Sequence, residues 1–397
     1  MTSTWIKRTI DDICVFRGGG TPSKSKESYW KGDIPWVSPK DMKSDVITDS
    51  IDHISAAAIK ESTTNLIPAG SILVVVRSGI LARTIPVAIT GRDVTINQDI
   101  KALCPDSTVD AWFLFYFLKS RLEEMLGLAS RGATVHRIMA DQIRLMDIPV
   151  PPLAEQQRIV GILDEAFEGI ATAKANAEQN LQNARALFES HLQSVFTQRG
   201  EGWVETKLDD VTDLITCGVA KRPEYVPEGI PFLSAKNVKS GQVIWSGHQY
   251  VSEESHRALT KHNKPKIGDI LYTRVGSYGE AAIIDRDIEF SIFVSLTLIK
   301  PKPVVLNSFL KHYLNSSAVK ELAADSITGS GVGNLNVGTV REFPIYLPPV
   351  SEQRSIVSQL DELRDETQRL ATIYERKLAA LDDLKKSLLH QAFSGNL

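Results

Sequence analysis

The stretch "VFRGGGTPSKSKESYW", residues 15–30, sets three glycines ahead of Ser23, Lys24, Ser25 and Lys26. A glycine run leading into Lys-Ser is the chemistry of a phosphate cradle, in which backbone N–H groups and one lysine surround an anion. Gly18 to Ser25 misses G-x-x-x-x-G-K-[ST] by one residue, because Ser23 stands where the second glycine belongs. Phe16, Gly18 and Gly20 also spell F-x-G-x-G, a pattern of adenosylmethionine-dependent methyltransferases. Either reading would make the chain an enzyme, and both lack their companions. There is no G-K-[ST] for a triphosphate and no Asn-Pro-Pro-aromatic motif for a target amine. "TGSGVGN" at 328–334 approaches a dinucleotide fingerprint, but no apolar helix follows it. The eight histidines form neither H-x-x-x-H nor H-E-x-x-H, and Pro105-Asp106 has no E-x-K partner for a nuclease core. Cys14, Cys104 and Cys217 are isolated, which argues against both a disulfide framework and a zinc site. The expectation is a chain with no catalytic residue, no metal and no cofactor of its own.

Bulk composition narrows the class further. Hydrophobic residues make up 43% and charged residues 23%, as in an ordinary soluble globular protein. No secretory h-region is visible, and "SILVVV" is far too short to span a bilayer. The expected setting is a reducing cytoplasm, away from membranes. With 45 basic and 48 acidic residues the net charge is −3, so any nucleic-acid contact must come from local clusters.

The elements that would position such clusters are written twice. "DIPVPPLAEQQRIVGILDE" from Asp147 matches "FPIYLPPVSEQRSIVSQLDE" from Phe343, about 197 residues later. "GDIPWVSPKDMKS" from Gly32 echoes "EGIPFLSAKNVKS" from Glu228, and "AGSILVVVRSG" from Ala69 echoes "IGDILYTRVGS" from Ile267. Trp5 and Trp203 open the copies, and Asp11-Asp12 and Asp209-Asp210 follow at equal spacing. Five motifs in one order are a duplication. Each copy begins with ~150 mixed residues, short β-branched runs broken by Gly and Pro. It ends with ~45 residues rich in Ala, Leu, Glu and Gln, without internal Pro, which favour helix.

Both helical segments carry an apolar seam at steps of three and four. The first runs through Ile159, Leu163, Ile170, Leu181 and Phe188. The second runs through Ile356, Leu360, Leu363, Leu370, Leu381, Leu384 and Leu388, although Leu378 offers a shifted register. Such spacing predicts a helix pair of coiled-coil type. A segment of about 42 residues would be ~60 Å long, more than a 150-residue domain is wide. The chain order requires the second helix to return antiparallel to the first. The fold class is therefore α+β: two mixed α/β domains separated by two long antiparallel helices, as a pseudo-two-fold internal repeat. The boundaries are 1–152 for the first domain, 153–200 for the first helix, 201–349 for the second domain and 350–397 for the second helix.

A duplicated globular unit, "PP-x-x-EQ-x-x-I" before each long helix, and the ending "LLHQAFSGNL" together resemble the specificity subunit of type I restriction–modification enzymes. The resemblance covers essentially the whole chain and is most specific at Pro151–Asp164, Pro348–Asp361 and Leu388–Leu397. The second copy departs from the pattern at its first loop, where "LITCGVAKRP" replaces the glycine run. The resemblance implies that each domain is a target recognition domain reading one half of a split, asymmetric site in double-stranded DNA. It implies that the helices set the gap and dock two modification subunits, joined by motor–nuclease restriction subunits. Adenosylmethionine, ATP and Mg are then expected in those partners. A methyltransferase in its own right would need the missing amine motif, and a bare coiled-coil scaffold leaves the two different heads unexplained.

The candidate DNA-contacting residues fall in corresponding loops. Lys24 and Lys26 in the first copy, and Lys221 and Arg222 in the second, are offered to backbone phosphates, or belong to a solvated loop. Arg77 and Arg274 each follow an apolar strand and precede a glycine, an arrangement that suits a DNA contact or an internal carboxylate partner. Arg131, His136 and Arg137 lie opposite Asn334 and Asn336, and Arg and Asn are the types that pair bidentately with G and A edges. Arg83, Ser277 and Tyr278 complete the set. Trp36 and Phe232 occupy equivalent positions after Ile-Pro and are expected in the core.

Overall fold

A computed structural model describes residues 5–130, 135–276, 278–327, 333–394 and 397. The chain forms two compact units, Met1–Ala177 with Lys377–Leu397, and Glu178–Arg376. Each unit holds one head and part of each long helix.

The first head is closed by its own ends: Ile6–Thr9 pairs antiparallel with Asp147–Val150. The second closes the same way, Val204–Lys207 against Pro344–Leu347. A head whose last strand is fixed by its first delivers the chain directly into the helix that follows. In the first head a five-stranded sheet runs in the order Cys14–Gly18, Ile100–Pro105, Ile72–Val75, Val87–Thr90, Val46–Ile47. A four-stranded sheet beside it contains Ile34–Val37 next to Val94–Ile96 in parallel. The second head repeats the plan with Thr212–Cys217, Leu296–Pro301, Ile270–Thr273 and Ala281–Ile283, and with Ile230–Leu233 parallel to Ser291–Ile292. "ILVV" and "ILYT" are buried at all four positions. Strands covered on both faces read as continuous apolar runs rather than alternating ones.

The long helices span Leu153–Thr197 and Val350–Phe393. Pro151-Pro152 and Pro348-Pro349 stop the preceding strand, and the first helical N–H groups of Gln156 and Gln353 bond back to the carbonyls of Pro152 and Pro349. Within the first unit Lys174 pairs with Asp382, and the Lys385 ammonium lies 4.8 Å from the Phe167 ring centroid. Within the second, Arg185 Nη2 meets Glu375 Oε1 at 2.8 Å. In the second unit Gly200, just beyond the first helix, also lies beside Glu352, so in each unit one helix's numbering falls as the other's rises and the segments are antiparallel. The seam also reaches into the heads. Phe393 packs edge-on against Phe113 and Phe117, and Phe196 packs against Phe309 and Tyr313 in the same way.

Ile159, Leu163, Ile170 and Leu360 are buried, and Leu181, Phe188, Ile356, Leu363, Leu370, Leu381 and Leu388 are half-buried. Leu384 corrects the seam, because it is 47% exposed. From Ala371 onward the inward positions run 371, 374, 378, 381, 385, 388 and 392, so Leu378 displaces Lys377 and Leu384 falls one residue out of phase. One residue is ~100° around the helix, enough to carry a side chain off a narrow stripe.

Two glutamines explain the Glu-Gln of the repeated motif. Gln156 and Gln353 are both 0% exposed. Gln156 Nε2 donates to Thr108 O (3.0 Å) and Pro151 O (2.9 Å), and its Oε1 accepts from Asp110 N (2.8 Å). Gln353 Nε2 donates to Val304 O (3.0 Å) and Pro348 O (2.9 Å), and its Oε1 accepts from Leu306 N (2.8 Å). Each amide thus ties the first turn of a long helix to the start of a short helix inside the head.

Candidate nucleic-acid interface

The glycine loop lies at the contact between the two sheets of a head. A Cβ on Gly19 would stand 1.9 Å from Ile96 O, and one on Gly218 would stand 2.1 Å from Ile292 O. The next residues donate to those same carbonyls: Gly20 N to Ile96 O at 3.0 Å, Val219 N to Ile292 O at 3.3 Å. Close backbone approach, which only glycine permits, is therefore the shared requirement, and the second copy keeps it without a glycine run. Trp36 Nε1 and Thr64 Oγ1 both donate to Gly20 O, at 2.9 and 3.1 Å. The loop is fixed from inside the head, and Trp36 and Phe232 are buried there.

Beyond the glycines the two lysines part company. Lys26 Nζ contacts Glu61 Oε2 (2.6 Å) and Tyr29 Oη (3.0 Å) and lies 4.2 Å from the Tyr29 ring centroid. Its hydrogen bonds to Glu61 and Tyr29 hold its pKa above the ordinary lysine value. That side chain is occupied within the head. Lys24 is exposed, at the rim of an open cavity it shares with Glu27, Trp30, Lys31 and Asp52. In the second head Lys221 and Arg222 are exposed, the Arg222 guanidinium 5.8 Å from the Phe293 ring centroid.

A short antiparallel ribbon gathers the other candidates of the first head. Arg77-Ser78 pairs with His136-Arg137, Arg137 opposite Arg77 and His136 opposite Ser78. Arg77 Nε meets Asp99 Oδ1 at 2.5 Å, so this arginine has the carboxylate partner that was one of its two readings. Arg137 and Arg83 are exposed and have no polar side-chain partner among the described residues. Asp99 thus meets the Arg77 charge, and Arg137 is the cation of this facing pair left without an ion pair among the described residues. Arg131 lies outside the described residues, as does Ser277.

The second head builds the same ribbon without charge. Val275 bridges Asn334 there, so Val275 stands where Arg77 does, and Asn334 stands where Arg137 does. Leu335 N bonds to Arg274 O as Ile138 N bonds to Val76 O, which places Arg274 opposite Val76 rather than Arg77. This corrects the expected equivalence of Arg77 and Arg274. One residue along a strand turns a side chain to the other face. Arg274 is only 7% exposed, donating from Nε to Leu335 O (2.8 Å) and from Nη1 to Val294 O (3.2 Å). It holds the loop from beneath instead of reaching out of it. Asn336 is likewise engaged: its Oδ1 accepts from Gly338 N (2.8 Å) as the N-cap of Val337–Arg341. Asn334 and Tyr278 remain exposed.

The junctions between heads and helices differ in one titratable contact. Tyr116 Oη donates to Asp164 in the first unit, and His312 Nε2 lies 3.0 Å from Asp361 Oδ1 in the second. Burial, with the Lys311 charge adding to it, pushes the His312 pKa down to about 4. The unfolded chain protonates this imidazole below its ordinary 6.5 while the folded unit resists, so unfolding takes up protons between those values. The second unit is therefore expected to lose about 2 kcal/mol between pH 7 and pH 5. A urea titration at both pH values checks this, and His312→Gln is expected to flatten the dependence.

Among the described residues no group of three or more His, Cys, Asp or Glu could hold a metal ion, and no helix is long and apolar enough to cross a membrane. Sequence reading missed two features. The role of Gln156 and Gln353 was hidden because their partners are backbone groups ~46 residues away. The exposed lysines of "SPKDMKS" and "SAKNVKS" were visible in the repeat itself.

Comparison with known proteins places these observations. Residues 2–182 and 200–375 match the family model described as type I restriction modification DNA specificity domain. The specificity subunit of the type I restriction enzyme EcoR124I/EcoR124II from Escherichia coli is 42% identical over 160 residues, 40% of this chain and 40% of that one. The MjaIX specificity subunit from Methanocaldococcus jannaschii is 26% identical over 369 residues, 87% of this chain and 83% of that one. The crystal structure of the HsdS subunit from Thermoanaerobacter tengcongensis matches with TM-score 0.66 at 19% identity, covering 100% of both chains. A chain from structural work on assembly and conformational transition of the type I R-M system matches with TM-score 0.81 at 18% identity, over 100% of this chain and 99% of that one.

Proposed function

This chain belongs to the type I restriction modification DNA specificity family, and from that premise we propose that each head reads one half of a split target in double-stranded DNA. The observation that carries the reading is a single architecture built twice, with a charged ribbon in one head and an uncharged one in the other. Equal scaffolds with unlike reading surfaces suit a bipartite, asymmetric site, as dimeric binders suit a palindrome. The first half-site is served by the loops of Lys24, Arg77, Arg83, Arg131, His136 and Arg137. The second is served by those of Lys221, Arg222, Ser277, Tyr278 and Asn334, with Arg274 and Asn336 shaping the loop.

In this reading the chain supplies specificity and does no chemistry alone. Two modification subunits dock along the helices, and restriction subunits join them in the cytoplasm. Adenosylmethionine, ATP and Mg are held by those partners. The seam makes the helix pair a spacer of fixed length. Inserting four residues within 172–180 and four within 369–377 would lengthen the pair by ~6 Å while turning the stripe only ~40°. Base pairs advance ~3.4 Å along the axis. The methylated motif is expected to keep both half-sites and gain one or two bases between them. Methylation mapping by long-read sequencing reads this out, and an unchanged gap would remove the spacer role.

A further inference from the structure

Some surface charges are common to both heads, and most of these are used internally. Asp11 pairs with Arg144 (2.6 Å), and Asp209 with Arg341 (3.7 Å). Asp12 accepts from Thr9 N (2.8 Å), and Asp210 accepts from Lys207 N (3.3 Å). Two lysine pairs are different. Lys40 and Lys43 in the first head correspond to Lys236 and Lys239 in the second; all four are exposed, and none has a polar side-chain partner among the described residues.

The turn that carries Lys40 and Lys236 is built the same way twice, and Lys43 and Lys239 follow it, Lys239 at the end of the short strand Val238–Lys239. Asp41 N bonds to Ser38 O at 3.0 Å, and Asn237 N bonds to Ser234 O at 2.8 Å. The side chain then closes the turn, Asp41 Oδ2 accepting from Ser38 N (2.8 Å) and Asn237 Oδ1 accepting from Ser234 N (3.1 Å). What remains of each side chain anchors the turn to the following segment. Asp41 Oδ1 accepts from Ile51 N (2.9 Å), whereas Asn237 Nδ2 donates to Ile244 O (3.0 Å) and Ser246 O (3.1 Å). The Asp41 carboxylate makes no ion pair with either neighbouring lysine among the described residues, because three hydrogen bonds from Ser38 and Ile51 already occupy it. Each head thus presents two exposed ammonium groups with no ion pair among the described residues, one on the fixed turn and one three residues further on.

Surfaces that discriminate two different half-sites must differ between the heads, as the ribbons do. A feature kept in both meets something that both half-sites share. The feature of duplex DNA that does not depend on sequence is its phosphate backbone, and lysine meets phosphate as a flexible point charge that carries no base information. We propose that Lys40 with Lys43, and Lys236 with Lys239, are matching phosphate clamps that position each head on its half-site. This rests on the DNA-reading function above and adds a division of labour within each head: the turn positions and the ribbon discriminates.

The test uses the assembled complex of the full chain with its modification subunits. Affinity for duplexes with and without the methylated motif is measured between about 50 and 200 mM salt. Each lost phosphate contact lowers the slope of log K against log salt by about 0.9, so K236A/K239A is expected to lower it by about 1.8 on both duplexes. The methylated motif is expected to stay unchanged, and K236R/K239R is expected to keep the wild-type slope. An unchanged slope overturns the clamp. So does a motif relaxed in one half, which would make these residues base readers, or a complex that no longer assembles, which would make them a protein contact. Failure of the underlying reading shows separately, as a wild-type complex that does not prefer its own motif.

Discussion

Replacing Gln353 with leucine is expected to lower the unfolding temperature of the second unit by about 6–12 °C. The amide satisfies the carbonyls of Val304 and Pro348 and the N–H of Leu306, and it is fully buried. Leucine has no polar atom, so one buried and two part-buried backbone groups lose a partner at about 1 kcal/mol each. For a body of this size 1 kcal/mol corresponds to about 2–4 °C. Gln156→Leu is expected to act equally on the first unit, through Thr108, Pro151 and Asp110. Arg354, exposed beside Gln353, is the control, and its alanine variant is expected to melt as the wild type does. Calorimetry with hydrogen exchange assigns each loss to its unit. If Gln353→Leu melted like the wild type, the motif's glutamine would not be the strut described here.

The internal repeat was legible because both copies keep the residues that build the scaffold. The prolines end strands, the glutamines tie helix to head, and the seam residues recur at steps that a helix turns inward. The first helix obeyed its stripe from Ile159 to Phe188. The second left it at Leu384, because the shifted register that Leu378 offers, continued from the small Ala371, is the one the helix turns inward.

The reading surface was less legible, for a different reason. Arg77 and Arg274 share the local pattern Arg-x-Gly, yet they differ by one position relative to the strands that bridge them. The aligned repeats, Ala69 onward against Ile267 onward, already set Arg77 against Val275, and it was the shared Arg-x-Gly that drew the two arginines together. Asparagine suits base edges and helix caps equally, and at Asn336 the cap on Gly338 N engages Oδ1, a contact that no local pattern announces. The glycine run drew attention to phosphate and methyl-donor chemistry, whereas its glycines serve close packing: a Cβ on Gly19, or on Gly218 in the second head, would meet a backbone carbonyl, and one on Gly20 would meet Thr63 Oγ1 at 2.5 Å.

The largest functional effect is expected from exchanging a whole head. Residues 203–343 run from the first closing strand of the second head, Val204–Lys207, to the residue before its partner Pro344–Leu347, and the head's core is drawn from within its own unit. A replacement from a relative with the same boundary motifs should fold on the same glutamine strut and bring its own ribbon and loops. The first head's ribbon of Arg77, Ser78, His136 and Arg137 is paired from residues of its own head. The measurement is the methylated motif of the chimera in complex with its modification subunits, mapped by long-read sequencing. The account predicts that one half-site changes to that of the donor while the other half keeps the wild-type bases. A change in both halves, or in neither, would contradict independent reading by two heads.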